Sequence, residues 1–299
     1  MLFPAALAIY IGFTNWSPTT GDDVWHAYRY WHWFDGYWEA LTTENFWIAM
    51  GRTIWITVAA VAVEFVLGFG LALLLLKTFR GRSFVTVFFL LPMMVVPAVS
   101  GFVFFMLFQV DGPVNQGLSA ILPGDVSVQW LQDASLAIWT VILADIWQWT
   151  PLMFLIFLSG LAALPEDQMN AARILGAGWW SQMRMLVLPM MKPIILIALV
   201  IRSIEAFKLF DPIYLMTQGG PGDATENISL YLFDETITNV RWGYASSVAI
   251  LVLIFVSIVG FWAIRPIERA QDESLDQGID LDTKRDVKIE DAIEAEARV

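Results

Sequence analysis

The sequence predicts an all-α, polytopic membrane protein with six transmembrane helices, the first of them truncated, and three observations predict it. Apolar residues make up 58% of the 299-residue chain and charged residues only 15%, whereas soluble domains carry about 25% charge. The apolar residues are gathered into runs of about 20, the length that crosses a ~30 Å hydrocarbon core as a helix. The Lys and Arg residues concentrate in alternate loops, as the positive-inside rule requires of a multi-pass chain.

Leu2–Phe13 is the first apolar stretch. At about 1.5 Å per residue it covers only ~18 Å of the core. It reads as a first spanning helix whose beginning is missing. The alternative is a signal-peptide core, but it has neither a basic leader nor a small-residue cleavage site. Thr53–Leu76, Phe84–Phe108, Ser135–Leu161 and Gly243–Ile264 are long enough to span. Phe84–Phe108 contains Pro92 and Pro97, which interrupt a helical hydrogen-bond ladder. The remaining span, Pro189–Met216, is apolar through Val200 and then carries Arg202, Glu205, Lys208 and Asp211.

Loops 77–83 and 162–192 and the tail beyond Ile264 hold twelve Lys/Arg, against three in loops 14–52, 109–134 and 217–242. The first set is therefore expected in the cytoplasm, with both termini, and the second outside. Residues 1–265 form one transmembrane domain. Residues 266–299, with eleven acidic and five basic residues, form an acidic tail that reads as a solvated extension. The net charge of -12 arises in that tail and in the acidic outer loops.

Several chemistries are excluded. The chain has no Cys and only two His, His26 and His32, too few for a His-based metal site. It has no G-x-x-x-x-G-K-[ST] phosphate loop, no H-E-x-x-H and no G-x-S-x-G. An enzyme is not the expected reading.

Ionisable residues at membrane depth are costly, about 2.5–3.5 kcal/mol each on insertion scales, and so mark pathways or helix glue. Glu64 stands alone in the second span, and its isolation favours a structural role. Asp145, Gln148/Trp149 and Leu152 share one face of the fourth span by i, i+3/i+4, i+7 spacing. Arg202, Glu205/Ala206 and Leu209 share a face of the fifth. Arg202 with Glu205, and Lys208 with Asp211, stand at the i,i+3 spacing of opposite-charge pairs. An aromatic ring, an amide and paired charges suit a polyhydroxylated ligand: the ring covers the apolar face of a sugar and the polar groups exchange hydrogen bonds with hydroxyls.

Leu164–Pro189, LPEDQMNAARILGAGWWSQMRMLVLP, is a cytoplasmic, partly amphipathic segment with Pro at both ends. Its small residues Ala171, Ala172, Gly176 and Ala177 permit close helix approach and a tight turn. An interfacial helix lying on the membrane is the alternative.

This segment resembles the cytoplasmic E-A-A-x3-G-x9-I-x-L-P signature of ABC-importer permeases. Asn170-Ala171-Ala172, Gly176-Ala177 and Leu186-x-Leu188-Pro189 stand at its spacing, with Asn170 in place of Glu and Leu186 in place of Ile. Thr217-Gln218-Gly219-Gly220-Pro221-Gly222, Ala224-Thr225-Glu226 and Ser229-Leu230-Tyr231 resemble the outer loop of the carbohydrate-type members. So do Arg202–Lys208 leading into Phe210-Asp211, and the upstream Phe34–Trp38 and Phe46-Trp47. Over residues 1–265 the chain is similar to the core of the maltose transporter's larger permease subunit; the tail lies outside the shared pattern.

The resemblance implies a non-enzymatic permease subunit of the cell inner membrane, importing a sugar, polyol or sugar derivative by alternating access. Its implied partners are a second, non-identical permease, a dimer of ATPase subunits that hold the ATP and Mg, an extracytoplasmic binding protein and the lipid membrane, with no nucleic acid. No cofactor is expected on this chain. The resemblance makes Asn170, Ala171, Ala172, Gly176 and Ala177 part of a coupling helix seated in the ATPase. It places Gln148, Trp149, Leu152, Arg202, Glu205, Ala206, Leu209 and Asp211 along the sugar path. Three rivals stand beside it: a secondary transporter, whose internal repeat the sequence does not display; a polytopic membrane enzyme, for which only scattered carboxylates are available; and a non-catalytic membrane subunit of another complex.

Overall fold

The computed structural model describes residues 2–77, 79–122, 127–263 and 265. The acidic tail, 266–299, lies outside the described residues. Those described are helices and their connections, with one isolated bridge between Thr14 and Trp31.

Helix α1 is Leu2–Gly12 and α2 is Asp35–Thr42, separated by a 3-10 segment Val24–Tyr30. Helix α3, Glu44–Leu76, follows after a single residue. Its 33 residues extend about 50 Å, longer than the ~30 Å core. Glu44 in its first turn complements the positive end of the helix dipole.

The third predicted span is not one helix. It divides into α4 (Arg82–Leu90), a 3-10 turn (Pro92–Met94) and α5 (Pro97–Leu107). Pro92 and Pro97 each start a new segment, because neither can donate to a preceding turn. Helix α6, Pro113–Ile121, leads toward α7, Ala134–Ala162. The Asp133 carboxylate opens α7 by accepting from Ser135 N and Leu136 N.

Short α8, Glu166–Ile174, is followed by α9, Trp179–Phe207. The predicted fifth span starts at Pro189, but α9 begins ten residues earlier and runs through that proline. A π segment, Met183–Val187, lies directly ahead of Pro189, with Leu188 N bonding Met183 O. That wider turn accommodates the missing donor. The fifth span also ends earlier than predicted, at Phe207 rather than Met216. A proline at 212 cannot donate to residue 208 and its ring would strike that carbonyl, so the chain turns and restarts as α10, Asp211–Met216. Helices α11, Ile228–Phe233, and α12, Trp242–Ala263, complete the described chain.

Among the described residues four helices, α3, α7, α9 and α12, are long and apolar enough to cross a membrane. Of the six predicted spans, the first is the short α1 and the third is the broken α4–α5.

Helices α3 and α7 form the central pair. Gly68 of α3 lets the backbones close up: a Cβ there would lie 2.7 Å from Met153 Cβ and 2.9 Å from Phe154 N. Two apolar clusters are built along this pair. One gathers Ile56, Ala60, Val141 and Ile142 with Phe104 and Ile213. The other, toward α8, gathers Ala72, Met153, Phe154 and Phe157 with Met183 and Met191. Glu64 of α3, Asp145 of α7 and Arg202 of α9 meet near their junction.

Candidate functional site

Three helices deliver one buried ion cluster. Arg202 of α9 bonds the Glu64 carboxylate of α3 through two atoms, Nε to Oε2 at 2.7 Å and Nη2 to Oε1 at 2.9 Å. The same Nη2 also meets Asp145 Oδ2 of α7. All three side chains are at most 1% exposed. The fork of a guanidinium fits a carboxylate through two parallel bonds, the strongest pairing available to it. The arrangement carries two carboxylates for one cation. Asp145 Oδ1 and Arg202 Nη1 have no hydrogen-bond partner. The Trp149 ring stacks near the guanidinium, 5.5 Å from centroid to Cζ.

The charge pairs expected from spacing are not formed. Arg202 leaves its own helix for Glu64 and Asp145. Glu205 pairs instead with Lys208 at 3.0 Å, and both are open, with side chains 47% and 62% exposed. Asp211 is separated from Lys208 by the turn that ends α9, so i,i+3 geometry no longer applies to them. The physical reason is burial: a desolvated guanidinium takes the partners that desolvation has left most in need of it. Glu64 is thus not isolated.

The structure divides the eight predicted path residues. Gln148, Arg202, Ala206 and Leu209 are buried. Trp149, Leu152 and Asp211 are half-buried and Glu205 is exposed. Gln148 has a defined partner: its Nε2 donates to Val95 O at 2.8 Å. Val95 lies in the break between α4 and α5, where two prolines leave carbonyls without helical donors. In hydrocarbon such a group must be satisfied from within the protein, and Gln148 supplies the donor. The sequence contained both halves of this bond, but their distance along the chain concealed it.

The loop after α10 is closed on itself. Thr217 Oγ1 and Thr225 Oγ1 lie 2.7 Å apart, and Thr225 Oγ1 donates to Gly220 O at 3.0 Å. Asn227 Oδ1 accepts from Leu230 N to start α11, while its amide donates to Leu209 O at the end of α9. Beside this loop the Glu226 carboxyl is pushed up to about 7 by burial first, then by Asp223, with Arg52 at 3.9 Å opposing.

In the predicted coupling segment, Asn170 and Ala171 are exposed and Ala172 and Ala177 half-buried. Gly176 is exposed at φ +78°, a left-handed conformation that favours glycine. Ala177 N closes the turn on Ala172 O at 2.9 Å. The small residues therefore shape a turn; Ala171 and Gly176 are not packed against another helix. What the motif missed is beside it: Ile174 and Leu175 are each 86% exposed, and Trp179 and Trp180 are exposed as well. The available signal was the apolar pair Ile174-Leu175 directly after the polar stretch 166–173.

Comparison with known proteins identifies the context of these features. Residues 64–272 match the family of binding-protein-dependent transport system inner membrane components. The chain is 34% identical over 225 residues, 75% of its length and 71% of the relative's, to the trehalose transport system permease protein SugA of Mycobacterium tuberculosis. It is 33% identical over 220 residues, 74% of each chain, to the trehalose/maltose transport system permease protein MalF of Thermococcus litoralis. Its fold is similar to a chain of the bacterial alginate ABC transporter crystallised with an alginate pentasaccharide-bound periplasmic protein. The TM-score there is 0.70 at 22% identity, over 79% of this chain and 83% of that one.

Proposed function

Since the chain belongs to the family of binding-protein-dependent transport system inner membrane components, transport subunits rather than enzymes, we propose that it imports a sugar or sugar derivative. Relatives named for trehalose, trehalose/maltose and sulfoquinovosyl glycerol support a carbohydrate cargo. The observation that carries the reading is on α9. Ile197, Ile201 and Glu205 form an open stripe at its end, spaced i, i+4, i+8, and the exposed Lys208 just past the helix continues it. A charged pair on such a stripe is costly against lipid and belongs against water or protein. Glu205 and Lys208 together offer acceptors and donors to hydroxyl groups, and the half-buried Trp149 and Leu152 supply an apolar wall.

In this reading Trp149, Leu152, Glu205 and Asp211 face the path, and Gln148, Arg202, Ala206 and Leu209 hold the helices that carry them. The chain works with a second, non-identical permease in the inner membrane. Both termini, α8 and its turn lie in the cytoplasm, where Asn170–Ala177 seat in a dimer of ATPase subunits. ATP and Mg belong to those subunits, and this chain binds no cofactor. An extracytoplasmic binding protein delivers the sugar near Thr217–Thr225. ATP-driven closure of the ATPase dimer moves the coupling segments and switches the permease pair between inward- and outward-facing states.

The test is reconstitution of the complete importer in vesicles, with a panel of sugars presented by the binding protein. One loaded binding protein should stimulate ATP hydrolysis and uptake together. Uptake that needs no ATP and collapses with the proton gradient would establish a secondary transporter instead.

A further inference from the structure

The segment between α1 and α3 is dense in aromatic residues that lie outside the proposed sugar path. Helix α2 has a fixed orientation. Its Gly36 and Ala40 are buried, and Gly36 lies against Ser247 and Tyr244 of α12. Ser247 Oγ in turn donates to Gly12 O at the end of α1 at 2.7 Å. The opposite side of α2 is open: Phe34, Trp38 and Leu41, spaced i, i+4, i+7, are 64%, 69% and 42% exposed.

This stripe continues two other apolar surfaces. Toward α3 it meets Trp47, whose indole Nε1 donates to Leu41 O at 2.8 Å. Beyond Trp47, exposed Ile48, Ile54, Trp55 and Val58 carry the same apolar character along the membrane-spanning helix. Toward α1, Phe34 packs edge-on against Phe13, which stacks on Trp31. The 3-10 segment Val24–Tyr30 lies along α1 rather than above it, with Trp25 beside Phe3 and Tyr28 N donating to Tyr10 Oη. The aromatic segment therefore sits at the level of apolar helices, not clear of them.

We propose that the Phe34–Trp38–Leu41 face of α2 is a membrane-interface anchor, seated among the lipid headgroups and upper acyl chains of the outer leaflet. Three features select lipid as the occupant. The face is continuous with the apolar flank of a spanning helix. Its central residue is Trp38, whose ring with one polar edge favours the headgroup level, flanked by the apolar Phe34 and Leu41. The adjoining flank of α2 is polar, Asp35, Glu39 and Thr42, which gives the amphipathic section of a helix lying in the interface plane. Helix α2 carries no Lys or Arg, so the anchor works by side-chain burial and gains nothing from anionic lipid. By holding α2 at a fixed depth it also fixes the outer end of α12, against which α2 packs.

The chain contains no cysteine, so a single introduced Cys reports this chain alone once the partner subunits are made Cys-free. The complete importer is reconstituted with a nitroxide label at Phe34→Cys, Trp38→Cys or Leu41→Cys, and at Asp35→Cys or Thr42→Cys as the polar side. Collision with oxygen is compared with collision with a water-soluble nickel chelate. The oxygen-to-nickel ratio should be several-fold higher at 34, 38 and 41 than at 35 and 42. It should not change when phosphatidylglycerol is blended into phosphatidylcholine. A ratio favouring nickel at all five positions overturns the anchor, because the face is then in water. Low collision with both reagents at 34, 38 and 41 also overturns it, because protein then covers the face. If a Cys at 38 impairs assembly, positions 34 and 41 carry the same test.

Discussion

Arg202 clamps Glu64 through two hydrogen bonds, of 2.7 and 2.9 Å, although 138 positions separate them in the chain. With Asp145 added, the clamp joins α3, α7 and α9, while Asp145 Oδ1 and Arg202 Nη1 keep unused hydrogen-bonding capacity. It makes the buried charges part of the scaffold that joins the three helices.

Breaking that clamp from one side should be severe. Arg202→Met leaves two buried carboxylates without a cation, and removal of one partner of a buried pair costs about 3–5 kcal/mol. Thermal unfolding of the purified complex should show a large loss for Arg202→Met. The triple variant Glu64→Gln, Asp145→Asn, Arg202→Met should recover much of it. A single variant as stable as the parent would show that the cluster does not hold the helices.

The Gln148–Val95 bond makes a separate prediction. Gln148→Leu strands a carbonyl at the α4–α5 break, at a cost of about 1–3 kcal/mol for a buried unsatisfied group. Hydrogen exchange should rise at the amides of α5's first turn, while α7 itself stays protected. Unchanged exchange there would remove Gln148 as the support of the break.

Glu226 gives a pH dependence of known sign. Its folded pKa is raised from 4.5 to about 7, so between those values the folded state holds more protons than the unfolded one. This group's contribution to stability therefore falls as pH rises through that window and levels off above it. Glu226→Gln should remove that part of the slope. Chemical denaturation in detergent at pH 5, 6 and 7 reads it, and an identical slope in parent and variant would refute the assignment.

On the coupling side, Ile174→Ser with Leu175→Ser should leave the permease folded, because both side chains are 86% exposed. The ATPase subunits should co-purify poorly, with their docking weakened at least tenfold, about 1.4 kcal/mol, and uptake should fall with it. Full co-purification would move the ATPase contact elsewhere.

The sequence by itself determined much of this protein. Its apolar runs located α3, α7, α9 and α12, because crossing hydrocarbon demands length and apolarity that nothing local can disguise. Pro92 and Pro97 announced the broken span, because a missing donor acts within its own turn. The spacing of Asp145 to Leu152 and of Arg202 to Leu209 pointed to α7 and α9, two of the three helices that meet in the ion cluster. Only the tertiary structure decided which side chains hold the scaffold and which stand open. Arg202 looked available to Glu205, three residues away, and went to Glu64 and Asp145. Gln148 looked like a ligand donor and supports Val95 O. Glu205 and Lys208 were left for each other. The reason is that a buried charge or amide is satisfied across helices, and that depends on how far each helix is rotated and slid against the next. Periodicity along one helix fixes which residues share a face; it carries no information about what that face will meet.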